Sequence, residues 1–464
     1  MIMRRILIWC ALAAAGALAL LTAQDVRIYL QEGQRPAVAI PDLRGDSQAQ
    51  PFMGSFNQIL WSDVEGSGFF RMVPKTMYPK GTPQQPSDWR QPPAPAPVTR
   101  GRTQQPPAAQ SGGGYWLADW SGPPVSANYV AFGYTAVQNG VLVLYGWLYD
   151  LGRGSQVLGN RYIARTADED GAREVAHKFA ADIVGLFGGK TSYGSHIYFQ
   201  SDRTGSKEIW VMDPDGRNQK QVTNFKYLTA FPAVSPDGSK IAFTRWTPSP
   251  VIVVFSVDPI RDLRFYNQQA STNSTPSFTP DGKQILYSSS APSLRTADCC
   301  RIFIANIDGT GLRPITSFGA IDTEPKVNPR TGAEIAFVSG RSGPQQVYRM
   351  NMDGADIERL TSGEGEASNP SWHPDGQILA FAWTRGYAQG AFNIFTMDVA
   401  TRRYNQLTQG DGRNENPSWA PDGAHLVFAK TRGGSSQIWT MLADGTQARQ
   451  LTTEGNNRTP VWGN

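Results

Sequence analysis

The chain has 464 residues, 40% of them hydrophobic, with 43 Lys and Arg against 39 Asp and Glu. That length allows more than one packed core, and near-balanced charge excludes the concentrated basic face that nucleic-acid binding needs. The 47 glycines and 33 prolines suit a chain rich in tight turns.

The N-terminus reads as an export signal. Arg4 and Arg5 precede an uncharged stretch over 6–21, and Leu21-Thr-Ala23 offers a small-residue cleavage site. A signal peptide over 1–23 would leave a mature start near Gln24 and a periplasmic protein. The alternative is an uncleaved anchor, for which the stretch is short, a span needing roughly 20 apolar residues. Cys10 lies within the apolar stretch with no small residues before it, so lipidation is not expected. No later segment is long and apolar enough to span a bilayer. Loss of 1–23 removes two arginines and no acid, taking the net charge from +4 to +2. Of three cysteines, only Cys299 and Cys300 then remain. They make no disulfide framework. A vicinal disulfide or a soft metal site is possible chemistry, but two ligands alone rarely hold a metal, and no role is assigned.

Residues 24–190 read as a small α/β domain. Short strands are expected at 26–30, 36–40 and 69–73, and longer ones near 129–137, 140–150 and 156–164. Phe52, Phe56, Ile59, Leu60 and Val64 recur at helical spacing, as do Ala172, Val175, Ala176, Phe179, Ile183 and Leu186. Between 79 and 114 the composition shifts to Pro, Gln, Gly, Ser and Thr. Such a stretch buries too little apolar surface to offset its ordering entropy and is expected to be a flexible insert.

From about residue 195 the chain repeats. A Pro-x-x-x-Pro-Asp-Gly block starts at Pro232, Pro276, Pro370 and Pro417, varies to Pro-Arg-Thr-Gly332 after Pro325, and ends truncated at Pro460. The first prolines are 43–49 residues apart. A period in the forties with several short strands per unit signals propeller blades. Each unit reads as a short first strand, a Pro-Asp-Gly turn, two strands of alternating apolar residues, an Asp-Gly turn, and a fourth strand ending in a Leu-Thr-like pair. The second unit has Asp262-Leu-Arg-Phe265 in place of that pair, so an irregular outer edge is expected there. Residues 196–199 lack a preceding first strand, and 460–462 lack a following one. Joining them completes a sixth blade and removes an unpaired edge. The expected fold is therefore an α/β N-terminal domain plus an all-β, six-bladed β-propeller at 195–464, closed by the C-terminal strand. The repeated Asp-Gly pairs sit where turns demand them and lack the acidic series of a calcium loop. No metal or cofactor is expected.

Catalytic motifs are missing from the sequence. It holds no Gly-x-Ser-x-Gly elbow, no phosphate-binding Gly-x-x-x-x-Gly-Lys loop and no His-Glu-x-x-His pair. His177, His196, His373 and His425 are scattered, and His373 reads as a turn residue. The alternative function is a carbohydrate-active or peptidase-associated propeller enzyme, since isolated carboxylates can hydrolyse sugars.

The mature start Asp25-Val-Arg-Ile28, the stretch Arg35-Pro-Ala-Val-Ala-Ile-Pro41, and Trp120-Ser121 followed by Asn128-Tyr-Val-Ala-Phe-Gly133 resemble the N-terminal domain of the TolB family. With the propeller repeat, the resemblance covers essentially the whole mature chain. The Pro-rich insert has no place in the family pattern. The resemblance implies a binding role in the Tol-Pal system, not catalysis: Pal, the peptidoglycan-associated lipoprotein, on one propeller face, and the periplasmic domain of TolA on the N-terminal peptide Asp25, Val26, Arg27 and Ile28. It also implies support of outer-membrane integrity and of constriction at division, with outer-membrane proteins and colicins as further partners. The face available to Pal is the one where loops precede the first strands, at 228–231, 271–275, 321–324, 366–369, 413–416 and 457–459. The residues expected to contact it are Thr229, Thr272, Asn273, Thr323, Glu324, Asn369, Asn416 and Thr459, with Thr323-Glu324-Pro325 matching the family best.

Overall fold

A computed structural model describes residues 35–90, 115–263, 265, 272–290, 300–317 and 319–464. The signal stretch, the N-terminal peptide Asp25, Val26, Arg27 and Ile28, the greater part of the insert and Cys299 lie outside the described residues. Cys300 is disulfide-bonded. The chain forms two compact units, one ending at Tyr193 and one starting at Gly194. No helix among the described residues is long and apolar enough to cross a membrane.

The first unit is an α/β layer structure. Its strands are β1 (Ala37–Ala39), β2 (Arg44–Gly45), β3 (Arg71–Met72), β4 (Tyr129–Gln138), β5 (Val141–Asp150) and β6 (Ser155–Ile163). They lie in the order β3-β1-β4-β5-β6, with β2 also on β4. Pairings made by β1 and β2 are parallel, and the β4-β5-β6 meander is antiparallel. Helices α1 (Met53–Gly66) and α3 (Glu169–Gly185) cover one sheet face, and a short α2 (Leu117–Ser121) carries Trp120 into the other core. Met53, Phe56, Leu60 and Val64 of α1 and Val175, Ala176, Phe179 and Ile183 of α3 form the buried stripes, at the spacing the sequence shows. Asp168 caps α3 by accepting the Gly171 N–H at 2.9 Å. Gly146 on β5 leaves room for α3: a Cβ there would stand 2.9 Å from the Phe179 ring.

The second unit is a six-bladed β-propeller. Five four-stranded sheets follow in chain order, and the sixth joins Asn457–Gly463 to His196–Ser201, Glu208–Met212 and Lys220–Gln221. Each innermost strand touches the next, and Asn457–Gly463 touches Thr229–Val234, so the ring closes. Both repeated turns need glycine. In the Asp353-Gly354 turn Gly354 has φ +87°, and a Cβ there would stand 2.1 Å from the Ile315 carbonyl oxygen of the neighbouring blade.

The Leu-Thr pair acquires a structural reason. Thr223, Thr316, Thr361, Thr408 and Thr452 each accept a backbone N–H of the third strand, at 2.9–3.1 Å. Thr361 and Thr452 also donate to the Gln346 and Gln437 side chains at 2.7 Å. A fourth strand of only a few residues is thus pinned by one buried hydroxyl. Thr361→Val would leave the Val347 N–H and the Gln346 oxygen without that partner. We expect a loss of about 2 kcal/mol and a fall in Tm of roughly 4–8 °C, measured by thermal unfolding; an unchanged Tm would show that the hydroxyl is dispensable.

The blade lacking this pair departs from the expected irregular edge. Its fourth strand, Ile260–Leu263, is longer than the others and pairs in unbroken register with Pro250–Val257. A tight hairpin, with Val257 opposite Ile260, replaces the hydroxyl pin.

Candidate functional site

All six innermost strands share one irregularity. The register slips immediately before and across each first proline, at Ala230/Ala233, Ser274/Ser277, Thr323/Lys326, Ser368/Ser371, Glu415/Ser418 and Arg458/Val461. The residue preceding each proline is left-handed: Phe231, Thr275, Glu324, Asn369, Asn416 and Thr459 have φ between +47° and +55°. Two causes combine. Proline disfavours the right-handed helical region for the residue before it, and proline has no N–H to offer the ladder, so a bulge there costs no strand hydrogen bond. A left-handed non-glycine residue costs roughly 1–2 kcal/mol, and six in one ring require compensation from their surroundings.

That compensation runs from blade to blade. The Glu324 N–H donates to Thr275 Oγ1 at 3.3 Å, the Asn369 N–H to Glu324 Oε2 at 2.6 Å, and the Asn416 N–H to Asn369 Oδ1 at 3.2 Å. Phe231 has no acceptor to offer, and the Thr275 N–H turns instead to Thr244 Oγ1 at 3.2 Å. Four of the six bulge residues, Thr275, Glu324, Asn369 and Asn416, therefore form a polar relay across three blade junctions, each accepting the strained backbone N–H of the next. Deeper by two residues, Ser371 and Ser418 accept the N–H groups of Trp419 and Trp462 at 3.3 and 3.0 Å.

The expected contact residues fall at different depths. Glu324, Asn369, Asn416 and Thr459 belong to the ring. Thr323 lies one residue before it, paired with Val338. Thr229 and Asn273 lie two residues before it and are buried. Thr229 accepts Gln200 Nε2 on its carbonyl at 3.0 Å, and Asn273 accepts Ser289 Oγ at 2.8 Å, so both serve the fold. Thr272 precedes its strand and exchanges hydrogen bonds with Ser290 at 3.0 Å. Apart from Thr272, these residues are not in loops as expected; they lie within innermost strands. The reason is the bulge, which gives a strand residue loop-like backbone. Phe231 and Thr275 complete the ring and were missed, although the column of residues preceding each proline would have identified them.

The ring holds one carboxylate, Glu324, whose pKa is raised by burial and partly restored by the Asn369 N–H and by Lys326. Lys326, two residues on, is pushed down by burial, with Glu324 opposing. Glu415, close enough to raise Glu324 further, is paired with Arg413 at 2.6 Å. Glu324 also accepts Asn369 Nδ2 at 3.1 and 3.2 Å. Both carboxylates are thereby fixed in orientation, an arrangement suited to recognition. Among the described residues no group of three or more His, Cys, Asp or Glu could hold a metal ion.

The family model described as the TolB beta propeller domain matches residues 184–464. Among curated proteins, the Protein TolB homolog of Chlorobium chlorochromatii is 32% identical over 262 residues, which is 56% of this chain and 47% of that protein. The homolog of Chlorobium luteolum is 33% identical over 232 residues, 49% of this chain and 50% of that protein. The matches span about half the length of these curated relatives. The crystal structure of TolB from Acinetobacter baumannii aligns with a TM-score of 0.70 at 22% identity, covering 92% of this chain and 96% of that one, a likeness of fold.

Proposed function

This chain belongs to the TolB family, and on that premise we propose that it is a periplasmic, protein-binding component of the Tol-Pal system whose channel mouth binds Pal. The observation that carries this reading is the ring of left-handed bulge residues. Strain repeated in every blade, and held at four of them by threonine, glutamate and asparagine side chains, is characteristic of a preformed site. A preformed ring loses little conformational entropy when a partner docks. Through its N-terminal peptide, Asp25, Val26, Arg27 and Ile28, the protein would engage the periplasmic domain of TolA. It would so link two partners, supporting outer-membrane integrity and envelope constriction and serving as a route for colicins. On this reading it is a binding protein and not an enzyme.

The test is capture by the full chain of the Pal periplasmic domain and of the TolA periplasmic domain, each measured separately. Glu324→Ala removes the acceptor of the Asn369 N–H and one wall of the ring. We expect Pal affinity to fall at least tenfold, about 1.4 kcal/mol or more, with TolA binding unchanged. Deletion of residues 25–28 should have the reverse pattern. A folded Glu324→Ala variant that binds Pal as well as the parent would refute the mouth as the Pal site.

A further inference from the structure

In the first unit the exposed side of α1 forms one wall of a groove of about 900 Å³, within the range of about 300–1,000 Å³ that ligand sites occupy. Residues from 41–44 and 75–82 complete it. Two sets of contacts fix its shape. Asn57 holds Leu43 at both backbone groups, accepting its N–H at 2.8 Å and donating to its carbonyl at 3.0 Å. Lys75 pairs with Asp42 and lies over the Trp61 ring at 5.0 Å.

Gly54, Gln58, Trp61 and Ser62 recur at helical spacing and turn one face of α1 toward the groove. Gly54 serves no need of the fold: it has no positive φ, and a Cβ there would meet nothing within 4 Å. Glycine weakens a helix, and bare backbone in a groove wall lets a second chain approach closely. Beside it, the Gln58 and Ser62 side chains make no hydrogen bond among the described residues. An amide and a hydroxyl offer both donors and acceptors, which match the N–H and C=O groups of an extended peptide. Charge narrows the choice further. The groove holds three cations, Arg44, Lys75 and Lys80, and one carboxylate, Asp42. Asp42 is taken by Lys75. Arg44 and Lys80 are exposed and make no ion pair among the described residues. The chain's own insert over 91–114 carries Arg100 and Arg102 and no acid, so like charge opposes its docking here.

We infer that this groove binds an extended, acidic segment of a second protein. The segment's backbone runs along Gly54, Gln58 and Ser62, and its carboxylates meet Arg44 and Lys80. The site belongs to the α/β unit alone and does not rest on the reading of the propeller mouth.

Random peptides displayed on phage test this on the full chain, with a Gly54→Trp chain as the counter-selection. Tryptophan at 54 fills the groove, and the open space around that Cβ leaves the fold undisturbed; if the variant fails to fold, Gln58→Trp on the same wall replaces it. Peptides that bind the parent and not the blocked chain should be rich in Asp and Glu. A synthetic copy should lose about tenfold in affinity when Arg44→Glu and Lys80→Glu are combined, since two exposed pairs become repulsive. Its counterpart with Asn and Gln in place of the acids should bind the parent as weakly. Selected peptides without acidic residues, equal affinity for the charge-reversed chain, or no peptide that distinguishes the parent from the blocked chain overturns the inference. Deleting residues 25–34 or 91–114 tests the chain's own segments. Unchanged binding supports a second protein as the occupant, and binding that emerges only in a shortened chain overturns it, because the groove is then filled from within.

Discussion

Removing residues 457–464 is expected to lower Tm by more than 10 °C or to abolish cooperative unfolding of the propeller. The segment supplies the innermost strand of the sixth blade, pairing Asn457 with Ser201 and Gly463 with His196. Its loss exposes the edge of His196–Ser201 and opens the ring between two blades. Trp462 is buried, donates its indole N–H to Ser195 Oγ at 2.8 Å, and gives its backbone N–H to Ser418 Oγ at 3.0 Å. Asn464 ties the strand to the first blade through the Pro236 carbonyl at 2.9 Å. Losing a buried tryptophan alone costs about 3–5 kcal/mol, and each kcal/mol shifts Tm by roughly 2–4 °C in a domain of about this size. The ladder and the exposed edge add to that. Differential scanning calorimetry of the full and shortened chains decides it. A Tm within 2 °C or so of the parent would mean that the ring does not depend on this strand, and the closure account would be wrong.

What could be read in the sequence follows from which residues physics makes indispensable. Turns that need positive φ or a preset proline angle repeat the same letters in most blades, so the Pro-Asp-Gly and Asp-Gly pairs revealed blade number and strand order. The Leu-Thr pair was visible for a comparable reason, since the short threonine hydroxyl both accepts the strand N–H and can donate to a neighbouring side chain. The ring was not visible in this way. Phe231, Thr275, Glu324, Asn369, Asn416 and Thr459 share a backbone conformation and share no side-chain chemistry, and varied polar letters read as loop. Their relay joins residues 31–49 positions apart, such as Thr244 with Thr275 and Thr275 with Glu324, and no local pattern reports it.

Arg341→Met is expected to cost about 3 kcal/mol, the penalty for leaving a buried carboxylate without its charged hydrogen-bond partner. Arg341 Nη2 lies 3.0 and 3.1 Å from the two oxygens of Asp322, whose side chain has 0% exposure. The guanidinium is also oriented by Ser339 Oγ at 2.9 Å and stacks over Phe337 and Tyr348 at 5.3 and 5.2 Å. Methionine keeps much of the apolar contact and removes the charge, so the carboxylate remains buried without its partner. The sixth blade shows a neutral form of the same arrangement. There Arg203 binds Ser201 Oγ at 2.9 Å and reaches Asn457 Oδ1 at 3.1 Å, and Asn457 occupies the position of Asp322. Arg203→Met should therefore cost less, about 1–2 kcal/mol. It follows that Asp322→Asn should rescue part of the Arg341→Met defect, and the double variant should be more stable than Arg341→Met alone. Denaturant unfolding of the four chains in that cycle measures the coupling. Asp322 lies two residues before Glu324, so on the proposal that Pal docks at the mouth a relaxed Arg341→Met chain should also lose Pal affinity, and the rescue should restore it in step with stability. If the double variant is no more stable than the single one, the arginine acts by stacking on its aromatic neighbours, and the buried charge is not what it was needed to offset.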